Sequence, residues 1–175
     1  MCAGCGDIRG DEERAYGARY TVEDRTLRIR VLQQDWTSLP WVAAELARHE
    51  ADGAEGFWIP RPWTQDETCP SGDPADPSSS LGIVQVFDSD SSRVGQRRGR
   101  PLEATVQLDP EVADLGKGLR LVIEGRVARW PMGRETVLCH PAQVYEQPVC
   151  LVGAKLDTVS VENASNGDRL ADWRF

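Results

Sequence analysis

Apolar and polar residues alternate with a period of two along much of this chain. In the segment RYTVEDRTLRIRVLQ, Leu27, Ile29 and Val31 share one face, and the arginines between them point away. Because successive side chains of a strand point to opposite faces, this pattern predicts a half-buried strand pair that turns near Glu23–Arg25. The segment LEATVQL, at 102–108, alternates in the same way and predicts another half-buried strand.

Strand-like patterns continue through the second half of the chain. LGIVQVF, at 81–87, is a nearly continuous apolar run, which is typical of a strand buried on both faces. The segment 119–130 is long for one strand, and we expect Gly125 to mark a bulge or a sharp bend. The remaining predicted strands lie at 135–139, 151–163 and 168–173, and Asn166–Gly167 predicts a turn between the last two.

One segment, at about residues 38–51, has helical periodicity. Its apolar residues recur at intervals of three and four, as one face of an amphipathic helix requires. Ser38 is placed to cap this helix, Pro40 suits its first turn, and Asp52–Gly53 is expected to end it. The residues that form the apolar face are Leu39, Val42, Ala43, Leu46 and Ala47.

These patterns predict a mainly β fold of seven or eight strands with one short helix. Strands and helices do not alternate, so we expect an antiparallel sheet that hides its edges, either in an OB-like barrel or in a sandwich. Residues 1–17 are polar and rich in glycine, and predict a flexible tether. Residues 18–175 predict a single domain with long loops at 64–80 and 88–101, where turn-forming residues dominate.

Composition narrows the function classes. The chain has 175 residues, of which 40% are hydrophobic and 27% charged, and these values are typical of a globular protein with a core. Its net charge of −8 argues against binding to a nucleic acid backbone, because such binding needs a basic face. The acidic surface suits a protein partner of basic charge.

The chain opens with MCAGCG, which places two of its five cysteines in the first five residues. The ending Ala3-Gly4-Cys5 resembles the processing site of bacterial lipoproteins, where small residues precede the cysteine that receives the lipid. That resemblance implies a lipid anchor on Cys5, or on Cys2, although no apolar segment precedes either residue here. Two alternatives stay open: Cys2 and Cys5 form a C-x-x-C zinc or redox motif of a cytosolic protein, or they are merely exposed thiols.

The later cysteines predict a disulfide. Cys139 and Cys150 bracket a loop that holds Pro141 and Pro148, and they are the favoured pair, with Cys69 available to pin the loop at 64–80. Disulfides persist in the periplasm and not in the cytosol, so this pairing supports a location in the bacterial envelope. Buried, reduced thiols are the alternative.

Two groups of residues are candidates for binding. Trp58 and Trp63 lie beside rigid prolines and are the tryptophans that we expect to be exposed. Arginines cluster at the end of the second long loop, where they could hold a carboxylate or a phosphate, or could simply keep a hairpin tip soluble. The arginines of this cluster are Arg93, Arg97, Arg98 and Arg100.

No serine-hydrolase elbow, P-loop, dinucleotide-binding glycine pattern or H-E-x-x-H motif occurs in the sequence. We therefore expect a monomeric, non-catalytic envelope lipoprotein, with no cofactor or metal and with the lipid as its membrane contact. Its expected role is to bind a basic protein partner, as immunity proteins and inhibitors do. Two alternatives remain, an envelope hydrolase that uses carboxylates in a cleft, and the cytosolic zinc or redox protein.

Overall fold

The computed structural model describes residues 2–3, 16–49, 51–60, 80–88, 96–109, 114–130, 133, 135–140 and 149–175. Strands dominate these ranges, with one α-helix and one short 3₁₀ helix at Trp36–Ser38. The expected mainly β fold is confirmed. In chain order the elements are β1 (Cys2–Ala3), β2 (Tyr16–Thr21), β3 (Thr26–Val31), β4 (Gln34–Asp35), α1 (Pro40–Arg48), β5 (Ala51–Pro60), β6 (Ser80–Asp88), β7 (Leu102–Gln107), β8 (Leu119–Val127), β9 (Val137–His140), β10 (Val149–Asn163) and β11 (Arg169–Arg174).

The strands form two sheets. A small sheet has the order β2-β3-β7, and a large one has the order β1-β8-β10-β6-β5-β4, with β9 and β11 also paired to β10. Within the ranges above the strands do not close into a barrel, and their arrangement is that of the predicted sandwich. One pairing departs from the expected antiparallel pattern, since β6 and β10 run parallel from Cys150↔Leu81 to Gly153↔Val84.

A bulge divides β10 into two halves. Leu156 pairs with Gly125 and Thr158 with Glu124, so Asp157 is an extra residue in β10. The extra residue reverses the alternation, and both Leu156 and Val159 are buried in the same core. The sequence predicted the irregularity at Gly125 itself, whereas the extra residue lies in the partner strand. Gly125 accommodates it, because a Cβ there would lie 2.5 Å from the carbonyl oxygen of Lys155.

The large sheet buries side chains on both faces. Ala54, Val84 and Leu151 face α1 and pack with Val42 and Leu46 of that helix. The opposite face packs on the small sheet through a mainly aliphatic core, which we call the aliphatic core. The buried residues of that core are Leu27, Ile29, Val31, Phe57, Leu102, Leu108, Leu156, Val159, Val161 and Ala171.

The helix is shorter than predicted. It begins at Pro40, with Leu39 as its N-cap and without a side-chain cap from Ser38, and it ends at Arg48. The segment expected to continue and end the helix belongs instead to β5, which starts at Ala51. The start of β5 contains small residues with low strand propensity. They form a strand because β5 pairs with β4 and β6, and because neighbouring atoms lie too close to its glycines for a larger side chain.

Other predicted elements are confirmed. The first hairpin turns at residues 22–25, β7 alternates as expected, and a turn at 164–166 leads from β10 toward β11. Most of the predicted loop at 64–80 and part of the one at 88–101 lie outside the described residues, as does most of the predicted tether. Within the ranges described, no helix combines the length and the apolar character needed to cross a bilayer.

Candidate functional site

A tight turn formed by residues 97–100 stands just before β7. The amide of Arg100 donates to the carbonyl oxygen of Arg97 at 3.0 Å. The two central residues both have positive φ, 51° at Arg98 and 76° at Gly99, as in turns of type I′. Glycine adopts this conformation without strain, whereas an arginine there needs other contacts to hold it. We call residues 97–100 the arginine turn.

Those contacts come from Glu55, in the middle of β5. Its carboxylate accepts hydrogen bonds from the backbone amides of Arg97 and Arg98, each at 2.6 Å. Glu55 is only 4% exposed. A buried carboxylate is costly unless charge-assisted hydrogen bonds compensate it, and these two bonds do so through the backbone. The arginine turn is therefore fastened to the large sheet by main-chain contacts rather than by its guanidinium groups.

The arginine side chains are consequently left for other contacts. Arg98 and Arg100 are exposed, and the guanidinium of Arg98 forms no hydrogen bond or ion pair with another described residue. Arg100 donates through Nε to the carbonyl oxygen of Arg97 at 3.2 Å. Arg97 is partly buried and donates through Nη2 to the carbonyl oxygen of Pro101 at 3.0 Å. The turn thus presents two guanidinium groups to solvent from a fixed backbone.

Trp58, the described member of the predicted tryptophan pair, is less exposed than the arginines. Trp58 is half-buried, and its ring meets that of Trp36 edge to face, with centroids 4.4 Å apart. Trp36 is completely buried and belongs to the core beneath α1. Trp58 therefore contributes to packing, and only part of it is available to a partner. Trp63, like Arg93, lies outside the described residues.

The predicted pair Cys139–Cys150 forms a disulfide, with the sulfur atoms 2.12 Å apart. The two cysteines lie directly opposite each other on β9 and β10. His140, the neighbour of Cys139, stacks on Trp41 of α1, with ring centroids 5.1 Å apart. The disulfide and this stack tie the end of the large sheet to the helix, and a disulfide is compatible with a location outside the cytosol.

The other cysteines provide no site that can be described. Cys5 and Cys69 lie outside the described residues, and for Cys2 the backbone is described, where it pairs with Arg120 of β8. Among the residues that the structure does describe, no three His, Cys, Asp or Glu side chains are grouped closely enough to hold a metal ion.

A shallow hollow of about 390 Å³ lies beside the first hairpin. Asp24 and Asp109 line it together with Arg25, and both aspartates are exposed. Two carboxylates near a hollow are what the hydrolase alternative requires, but a catalytic acid of that kind normally lies where water is excluded. The hollow is therefore a weaker candidate than the arginine turn.

Sequence reasoning found the arginines but missed Glu55, which positions them. The available signal was an acidic residue, Glu55, that leads into the apolar run FWI in the segment DGAEGFWI, whose first residue is also acidic. An isolated acid in a buried strand needs partners, and here the partners are 42 and 43 residues away in sequence. No local pattern could identify them.

The chain matches no protein-family model, no curated protein and no solved structure. The fold and the site define a two-sheet β protein with a disulfide and an arginine turn held by a buried carboxylate.

Proposed function

We propose that this protein is a non-catalytic binding protein of the bacterial cell envelope, and that the arginine turn is part of its contact surface for a protein partner. The observation that supports the proposal is that the Glu55 carboxylate holds the backbone of the arginine turn. A buried acid that neutralised the arginines would reduce their availability, but Glu55 binds their backbone amides instead. A preorganised backbone lowers the entropy that a partner must overcome on binding.

Arginine is well suited to such a surface. Its planar guanidinium donates up to five hydrogen bonds to carboxylates or main-chain carbonyls, and arginines are enriched among the residues that dominate binding energy. The net charge of −8 favours a partner of net positive charge, which long-range attraction would bring to the surface. Immunity proteins and enzyme inhibitors are proteins of this kind, and this class is our proposal for its role.

The envelope location rests on the cysteines. The disulfide Cys139–Cys150 supports an oxidising compartment. A lipid on Cys2 or Cys5 would add the membrane contact. Expression from the full native gene tests this second part: the protein should partition into detergent, and Cys2→Ser or Cys5→Ser should return it to the aqueous phase. Aqueous partitioning of the unaltered protein would contradict the anchor and leave the binding role open.

The binding role is tested by affinity capture from an envelope extract with the intact protein and with the double variant Arg98→Ala/Arg100→Ala. A matched control is Arg120→Ala/Arg174→Ala, which removes the same charge from two other exposed arginines, on β8 and β11. We expect a partner held by the intact protein and the control, with at least a tenfold loss of affinity in the turn variant. Equal binding by both double variants would contradict a role for the arginine turn.

A further inference from the structure

The outer face of the small sheet carries two arginines directly opposite each other. Arg19 of β2 pairs in register with Arg28 of β3, and both side chains are exposed. The residue opposite Arg28 on its other side is the uncharged Thr105 of β7. Directly opposed residues in antiparallel strands have Cβ atoms about 4.5–5.5 Å apart, so the two arginine side chains leave the sheet side by side.

No acid among the described residues neutralises this pair. Neither Arg19 nor Arg28 forms an ion pair or a hydrogen bond through its side chain with another described residue. Glu103, the acid on the same face of β7, lies opposite Arg30 instead. Like charges that face each other across two strands destabilise a sheet. A chain with 28 acidic residues thus keeps a repulsive arginine pair where an acid at either position would remove the repulsion.

We propose that Arg19 and Arg28 bind the phosphate monoester group of a small phosphorylated molecule. A phosphate monoester carries about −1.5 to −2 charges near pH 7 and offers three terminal oxygens. It can therefore neutralise both guanidinium groups and accept hydrogen bonds from each. A carboxylate carries only one negative charge, so it would neutralise only one of the two arginines. The planar fork of arginine suits bidentate contact with phosphate oxygens.

The remaining charge of the protein favours a small ligand over a polymer. A nucleic acid or an anionic membrane would extend past this pair and meet a protein of net charge −8. That repulsion acts over about 8–10 Å at physiological salt, whereas a single phosphate group lies within the reach of both side chains. The proposed site uses different residues from the arginine turn, so either proposal can fail without the other.

Titration of the isotope-labelled full chain with phenyl phosphate at about pH 8, where the monoester is dianionic, tests the site by NMR. We expect saturable shifts of the Arg19 and Arg28 signals. Benzoate and diphenyl phosphate share the phenyl group but carry one charge, and should bind at least tenfold more weakly. Comparable binding of either one would overturn the assignment to a monoester, and an absence of saturable shifts would overturn the site.

Substitutions separate binding from folding. Arg19→Gln and Arg28→Gln should each weaken phenyl phosphate binding at least tenfold, while their melting temperatures stay equal to that of the intact protein or rise. Arg174→Gln is the matched control, because Arg174 is also an exposed strand arginine but lies opposite Thr158. Arg98→Ala/Arg100→Ala should also bind like the intact protein. Equal weakening in the control, or a lower melting temperature in both pair variants, would overturn the proposal.

Discussion

The two faces of the large sheet bury different kinds of side chain. The face toward the small sheet is filled mainly by leucine, isoleucine and valine, with Phe57 as its buried aromatic residue. The face toward α1 is built around Trp36 and Trp130, whose buried indole nitrogens make no hydrogen bond within the described part of the chain. The alternation of apolar and polar residues in the sequence is enough to predict the aliphatic face. The aromatic face forms only where neighbouring backbones leave room for a large ring.

The bulge at Asp157 keeps both halves of β10 on the aliphatic core, because Leu156 before it and Val159 after it face the same side. Insertion of one alanine between Thr158 and Val159 should cause the largest loss of stability, because it turns Val159 and Val161 away from the aliphatic core while Leu156 and the bulge keep their place. Exposure of two buried valines costs about 3–6 kcal/mol, which is comparable to the total stability of many domains. Urea unfolding followed by circular dichroism measures this loss.

Asp157→Asn is the control for that insertion, since it keeps the residue count. It removes the exposed ion pair between Asp157 and Arg126, whose atoms lie 3.2 Å apart. Such surface pairs contribute about 0–1 kcal/mol. Similar urea midpoints for the insertion and for Asp157→Asn would show that β10 tolerates a change of register, and would contradict the burial of Val159 and Val161 in the core.

The aromatic face is expected to be sensitive at Gly82. A Cβ at this position would clash with Leu151 and would lie 2.7 Å from a ring carbon of Trp36. We expect Gly82→Ala to destabilise the protein by about 3 kcal/mol through overpacking, measured as a lower urea midpoint. Gly17→Ala, on the small sheet, is the matched control because nothing lies within 4 Å of its Cβ. Equal midpoints for the two variants would show that Trp36 does not rest on Gly82.

The difference between the faces explains what the sequence could predict. Strands β3 and β7 were identified because one side faces a core and the other faces water, and this imposes alternation. The same reasoning failed at β5, because DGAEG has the composition of a turn and becomes a strand only through its partners. Parallel pairing of β6 with β10 joins residues about 70 apart and leaves no local signal.

The candidate site, like the fold, could be predicted from the sequence only in part. The arginines form a local cluster in the sequence, and Cys139 and Cys150 bracket a short loop, so both could be predicted. Glu55 and the pairing of Arg19 with Arg28 depend on register and burial, which exist only after the strands have assembled. Sequence reasoning therefore identified the exposed arginines, and missed the contacts that position them.

The disulfide should contribute less than the packing of Gly82. In the chain-entropy model, the link between Cys139 and Cys150, 11 residues apart, stabilises the fold by about 2–3 kcal/mol. We expect Cys139→Ser/Cys150→Ser to melt at a lower temperature than the intact protein. Added reductant should bring the intact protein close to the double variant and leave the double variant unchanged. Melting of the intact protein that stays unchanged although the reductant has freed the thiols of Cys139 and Cys150 would contradict this contribution.

The smallest of these effects is expected at Glu55, at the aliphatic side of the sheet. Glu55→Gln keeps the size of the side chain, but an amide has one acceptor oxygen and its NH₂ group would face a backbone amide. One of the two charge-assisted bonds to Arg97 and Arg98 is lost, at a cost of about 1.5–3 kcal/mol. Glu103→Gln, an exposed acid on β7, is the control and should be nearly neutral. Because the loss is local, hydrogen exchange should accelerate at the amide of Arg98 far more than in the aliphatic core. Equal acceleration at both places would mean that Glu55 stabilises the whole sheet rather than holding the arginine turn, and the turn would then have no preorganised backbone to offer a partner.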